Sequence, residues 1–295
     1  MNKDSLQCQN DILLMKALLI RAGEEGALIM FEESMQSEAV QKTIRVWREN
    51  NELIAFAYVD DYANLRFTIT PEHICTVLEN EIVDWGIRCM QIRNQQSHEN
   101  QTLDASCKSN DLKRIDLFMR SGFVKEELHS LDYSRSLTIS LPFFPLPAGF
   151  IIRSVKGEEE AGALVDLHRA AFGTQEMTVE QRLAIMRTPQ YLLDFDLVVE
   201  TDDSDLAAFC ICEMGTRSDG KIIGYTDPIG THPKYQRRGL ASALISVELR
   251  NLKEKGAIRA ESGTSSKNIA MQRLFEKMGF TCSAEHVWFS KNVIR

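Results

Sequence analysis

From residue 150 onward the apolar positions switch repeatedly between a period of two and a period near 3.6, and each switch marks an expected element. A strand over 150–155 leads into a helix over 158–172, in which Ala161, Leu164, Leu167, His168 and Ala171 recur at helical spacing. A second helix begins near Thr178, an N-cap with Gln181 three residues on, and ends before Pro189. Strands over 195–200 and 206–214 flank the acidic turn Asp202-Asp203-Ser204-Asp205 and read as a hairpin. A strand over 222–231 follows, then a helix over 240–255 closed by Gly256 and a strand over 257–261. The last helix, 268–278, ends at Gly279, and a final strand is expected over 287–290. Strands and helices mixed in this way predict an α/β (α+β) fold around one sheet.

The first half repeats parts of this order. Leu53-Ile54-Ala55-Phe56 is similar to Leu206-Ala207-Ala208-Phe209, and Leu117-Phe118-Met119-Arg120-Ser121-Gly122-Phe123 to Leu274-Phe275-Glu276-Lys277-Met278-Gly279-Phe280. Two matches in the same order at nearly the same offset predict an internal duplication. Between them, Leu141-Pro142-Phe143-Phe144-Pro145-Leu146-Pro147-Ala148-Gly149 holds three of the seven prolines and can continue neither a helix nor a central strand. The expected division is therefore a domain over 1–140, a linker over 141–149 and a domain over 150–295.

A length of 295 residues suits two domains, and 44% apolar with 26% charged residues is the balance of a soluble globular chain. No apolar run approaches the length that spans a bilayer, and the polar start of the chain lacks the apolar stretch of a secretory signal, so a cytoplasmic protein without membrane partners is expected. The net charge of −8 opposes a broad grip on nucleic acid. The seven cysteines are scattered and include no Cys-x-x-Cys pair, so no metal is expected. Cys210 and Cys212 alternate on one strand face, where core packing is favoured over redox chemistry.

Against this acidic average stands one basic cluster. In Thr231-His232-Pro233-Lys234-Tyr235-Gln236-Arg237-Arg238-Gly239-Leu240-Ala241-Ser242 a strand ends at a proline, a basic loop turns at a glycine, and small residues open an apolar helix. The free N–H groups at such a helix start, with the positive end of its dipole, form an anion site of the kind that holds pyrophosphate. Gly239 lets the backbone approach a phosphate closely, Ala241 and Ser242 leave room beside it, and Arg237 and Arg238 add charge. Neither the Walker loop nor the dinucleotide glycine fingerprint is present. No glycine occurs between Gly26 and Gly86, so the first half has no counterpart of this loop.

Gln236 to Ala241 resembles, at every defined position, the Gln/Arg-x-x-Gly-x-Gly/Ala signature of the GNAT superfamily of acetyl-CoA-dependent N-acetyltransferases. The resemblance begins at Asp227-Pro228-Ile229-Gly230-Thr231-His232-Pro233 and continues to Asn268, whose helix ends in Gly279-Phe280. It covers roughly residues 150–295, and the first half resembles a degenerate second copy, as in tandem-domain members. It implies two GNAT-like domains, each with a mixed, mostly antiparallel twisted sheet flanked by helices, and acetyl-CoA as co-substrate.

The resemblance also implies roles. Backbone groups of Ile229, Gly230 and Thr231 would pair with the pantetheine arm between two splayed strands, and amides from Arg237 through Gly239, Leu240 and Ala241 to Ser242 would hold the pyrophosphate. Asn268 would contact the pantetheine arm or simply cap its helix. The reaction would be direct attack of a neutral amine, on a small molecule or a lysine-type side chain, on the thioester carbonyl. Asp227 stands where many relatives carry a glutamate base; it serves as the base or initiates a turn with Pro228. Phe275, a cofactor-side position, departs from the tyrosine that usually protonates the leaving thiolate. The acid is then water, Tyr225 or absent, while Tyr225, Glu213 and His232 also read as ordinary strand and loop residues. An acyl-CoA-binding regulatory protein without turnover is the alternative. Acceptor identity and oligomeric state are not written in the sequence.

Overall fold

The computed structural model describes residues 2–5, 9–98, 100–188 and 191–294. Its contacts divide the chain into two compact units, Met1–Ser130 with Ala284–Arg295, and Leu131–Ser283.

The first unit contains β1 (Asn2–Ser5), α1 (Gln9–Arg21), α2 (Leu28–Ser34), α3 (Glu38–Gln41), β2 (Arg45–Glu49), β3 (Glu52–Val59), β4 (Leu65–Ile69), α4 (Thr76–Ser97), β5 (Thr102–Lys108) and α5 (Leu112–Arg120). The strand β6 (Val124–Ser136) leaves it. Strands β1 to β4 form an antiparallel meander in sequence order. The β3 strand is buried along nearly its whole length, with Leu53, Ile54, Ala55, Phe56, Ala57, Tyr58 and Val59 all in the core, because both of its faces are covered.

The second unit runs through β7 (Phe150–Ser154), α6 (Ala161–Phe172), α7 (Val179–Met186), β8 (Tyr191–Thr201), β9 (Leu206–Thr216), β10 (Ile222–Thr231), α8 (Leu240–Glu254), β11 (Arg259–Ser265), α9 (Ile269–Lys277) and the start of β12 (Thr281–Asn292). Its strand order is β6-β11-β10-β9-β8-β7. All neighbours from β7 to β10 are antiparallel, and β10 with β11 is parallel, the crossover between them being α8. Alternation on β9 serves two layers. Cys210 and Cys212 join Leu244, Leu249 and Leu252 of α8, whereas Phe209 and Ile211 join Leu164 and Leu167 of α6. The Thr178 cap forms as expected, its hydroxyl accepting from the Gln181 N–H while the Gln181 side chain accepts from Thr178.

Two expectations about boundaries differ from the structure. The prolines of 141–149 lie inside the second unit, where Leu141, Phe144 and Leu146 pack against its core. The chain passes between units within β6, at Ser130 and Leu131, and returns within β12, at Ser283 and Ala284. There β12 pairs antiparallel with β5, from His286↔Lys108 to Asn292↔Thr102, and delivers Val287 and Phe289 to the first core, with Val293 just beyond its end. A strand carries no composition break, so neither passage is visible as a linker. The strand expected over 287–290 extends over 281–292, because its first residues are exposed or half-buried and carry little apolar signal.

The repeated segments occupy matching elements. Both Leu-Phe repeats end a helix, α5 and α9, and Gly122 and Gly279 follow with φ of 80° each, a conformation that favours glycine. Asp111 and Asn268 cap these helices in the same way, each accepting at 3.1 Å from the N–H three residues on.

Candidate functional site

The candidate site lies where β10 leaves its neighbours. Against β11, β10 pairs only at Ile223↔Arg259, Gly224↔Ala260 and Tyr225↔Glu261, although β10 continues to Thr231 and β11 to Ser265. The two parallel strands therefore part after Tyr225. Ser262 Oγ donates to the Thr226 carbonyl at 2.7 Å and holds them at the last point of contact. On the other side β10 keeps its ladder with β9 but slips register between Thr226 and Ile229, three steps on β10 facing two on β9. Asp227 and Pro228 occupy that bulge, joined by a cis peptide bond.

Ile229, Gly230 and Thr231 lie on the parted segment of β10. Gly230 is required there: a Cβ would stand 2.4 Å from Phe209 Cε1 and 2.9 Å from Ala171 Cβ. Asp227 is exposed, and its Oδ2 lies 3.6 Å from where a Cβ on Gly263 of β11 would be, so the carboxylate borders the gap between the strands. Tyr225 is half-buried on the paired part of β10, opposite Glu213 of β9.

The loop is built by local chemistry. A 3-10 turn over Pro233–Tyr235 follows β10, with the His232 ring accepting from the Lys234 N–H. Gln236 donates back to the Thr231 carbonyl at 3.2 Å, Arg237 adopts φ of 62°, and Gly239 caps α8 at φ of 85°. A glycine cap offers no side chain to the first amides of the helix, so those of Leu240, Ala241 and Ser242 are left to an external acceptor. The first helical turn closes with Ala243 N–H on the Gly239 carbonyl. Arg238 stacks over Tyr235 and Phe150, at 5.6 and 5.9 Å from the ring centres, and Arg237 remains exposed at the loop surface.

The contacts that fix this loop join residues distant in the sequence. Asp205, read as part of an acidic turn, accepts from both the Tyr235 hydroxyl and the Lys234 ammonium, and these bonds hold its carboxyl below the usual range. Ser262 and Gly263 were also missed; a glycine within a strand-like stretch was the available signal.

Asn268 Oδ1 caps α9. Phe275, 0% exposed, packs against Tyr133 and Phe280 at 5.0 and 5.3 Å between ring centres. Beside Pro228 a small cavity of about 10 Å³ is lined by Leu164, His168, Met177, Arg182, Phe209 and Ile211. Arg182 is paired with the fully buried Asp196, which also accepts from Tyr191 at 2.7 Å. Burial, reinforced by Arg182, pushes the His168 imidazole below its ordinary pKa, so it is neutral at pH 7.

In the first unit β4 and β5 belong to different sheets, and an isolated parallel bridge, Asn64↔Asp104, forms just before β4. The connection from β4 to α4 contains Pro71, Glu72 and His73 and no glycine, and α4 starts from Cys75 without a side-chain cap. No basic phosphate loop is built there.

A sheet whose central parallel strands part, followed by a glycine-capped helix start, is the architecture of the GNAT fold. The family model described as "Acetyltransferase (GNAT) family" matches residues 163–280, and the second unit accordingly carries a GNAT acetyltransferase domain. The chain is 30% identical over 149 residues to a mycothiol acetyltransferase of Beutenbergia cavernae, a match covering 49% of this chain and 50% of that protein. The chain thus spans about half the length of this curated relative. Among solved structures, a GCN5-related N-acetyltransferase from Sphaerobacter thermophilus superposes with a TM-score of 0.74 at 15% identity, covering 100% of this chain and 96% of that one. A tandem GNAT protein from the clavulanic acid biosynthesis pathway gives 0.71 at 14% identity, covering 100% and 99%. The tandem GNAT fold extends over the whole chain. Among the described residues, no helix is long and apolar enough to cross a membrane.

Proposed function

We propose that the second unit binds acetyl-CoA and transfers its acetyl group to an amine by direct attack on the thioester. The observation that carries this reading is the parting of β10 from β11 after Tyr225, within one strand length of the uncapped start of α8. The pyrophosphate lies on the amides of Arg237 to Ser242, and the pantetheine arm runs back along Thr231, Gly230 and Ile229, pairing as an added strand. The thioester then reaches the bulge at Asp227 and Pro228.

A neutral amine attacks the carbonyl carbon there; the C–N bond forms, the C–S bond breaks and CoA leaves as thiolate. A backbone N–H of β10 stabilises the oxyanion, and Asp227 takes the proton that an ammonium acceptor must lose. Water supplies the proton to the thiolate, because Phe275 has no hydroxyl. The second reading, acyl-CoA binding without turnover, draws its support from the same Phe275, sealed in the core.

The test mixes the purified chain with acetyl-CoA and a panel of primary amines and follows free CoA. Release of CoA that falls at least tenfold in Asp227→Asn, with acetyl-CoA affinity retained, supports transfer. Binding with no release for any amine selects the non-catalytic reading, and no acetyl-CoA binding at all refutes both.

A further inference from the structure

The core of the second unit contains an anomaly unrelated to the cofactor loop. Glu248, on the buried side of α8, is 0% exposed, and its carboxyl, beside the Cys212 thiol and the Asn251 side chain, makes no well-formed hydrogen bond. An unsatisfied carboxyl in an apolar interior is costly and calls for a partner, and an ion is one of the few that serve. Directly opposite on β9 stand the thiols of Cys210 and Cys212, both 0% exposed, brought to the same face by the strand period of two. The two sulfurs and a Glu248 oxygen all lie within 4.8 Å of one another.

From this juxtaposition we infer a binding site for a thiophilic divalent cation, of which zinc is the type, held by Cys210, Cys212 and Glu248. The sulfurs are 3.8 Å apart, which matches two thiolates each about 2.3 Å from a tetrahedral zinc. One thiolate pair balances the charge of the ion, and the carboxylate supplies the oxygen ligand. Asn251, one turn further along α8, lies beside Glu248 and also lines an open surface groove with Asp194, Phe195, Glu254 and Lys255, so the cluster is one residue away from the surface. Burial raises the Glu248 carboxyl and the Cys212 thiol well above their ordinary values, so protons compete with the ion for these ligands. On binding, two S–H bonds and one O–H bond break, three metal–ligand bonds form, and three protons go to solvent; nothing is oxidised or reduced. The ion pins β9 to α8, the helix whose start carries the phosphate loop.

The experiment uses the full chain, reduced and stripped of metal, then titrated with Zn²⁺ or Cd²⁺. One equivalent retained after gel filtration, an ultraviolet cadmium–thiolate absorption band, and a zinc-dependent rise in Tm are expected. Cys212→Ser and Glu248→Gln should each weaken binding by about tenfold or more. Cys75→Ser and Cys282→Ser, which alter exposed thiols, should leave it unchanged. Circular dichroism identifies any variant that fails to fold, and Glu248→Gln keeps the shape of the side chain so that one informative variant remains. Failure of the wild type to retain metal overturns the inference. So does a cadmium band that persists in Cys212→Ser or vanishes in the exposed-thiol variants.

Discussion

Gly239 has a left-handed backbone, and the proposed function adds a second demand, an unobstructed path for phosphate, which substitutions can separate from the first. Its φ is 85°, and a Cβ built there meets no atom within 4 Å. Gly239→Ala therefore clashes with nothing in the protein and pays only for the conformation, about 1–2 kcal/mol. That lowers Tm by a few degrees. Gly239→Asn tolerates the same conformation better, so most of the lost stability should return. If phosphate approaches this backbone, both side chains stand in its way and one charge-assisted hydrogen bond is lost, about 1.5–3 kcal/mol or roughly ten- to a hundredfold in affinity. Calorimetric unfolding should thus rank glycine above asparagine above alanine. Titration with CoA should place asparagine and alanine together, well below glycine. Two results refute the reasoning: CoA affinity unchanged in both variants, which removes phosphate from this helix start, or affinity that recovers in step with stability, which leaves the backbone conformation as the sole requirement.

Arg182→Met strips the buried Asp196 of its cation and leaves it only the Tyr191 hydroxyl, so chemical denaturation should show a loss of about 3–5 kcal/mol; a loss below 1 kcal/mol would show that the pair is not sealed from water. Because the folded-state pKa of His168 is lowered, the unfolded chain binds more protons just below the ordinary histidine range. The stabilisation is therefore fully present above pH 6.5 and is lost as pH falls through the folded value. The difference in stability between wild type and His168→Gln should shrink on acidification across that window; a gap independent of pH contradicts the assignment.

The second half was legible because its signals are local. Thr178 and Gln181 specify a capping box, Gly239 a helix start and Gly279 a helix stop, and each depends on residues within a turn of one another. The basic loop and its missing counterpart in the first half could be read for the same reason. The prolines of 141–149 carried an equally local signal, a break in regular structure, which does not distinguish a linker from a segment packed on a core.

By itself the sequence determined the helices and most strands of the second unit and its basic loop, since periodicity and caps act over short range. Only the tertiary structure decided which strands part, that Asp205 anchors Tyr235, that the last twelve residues return to the first unit, and that Glu248 faces Cys210 and Cys212. Each of these joins residues distant in the chain, and their pairing follows from register and packing, which no window of sequence contains.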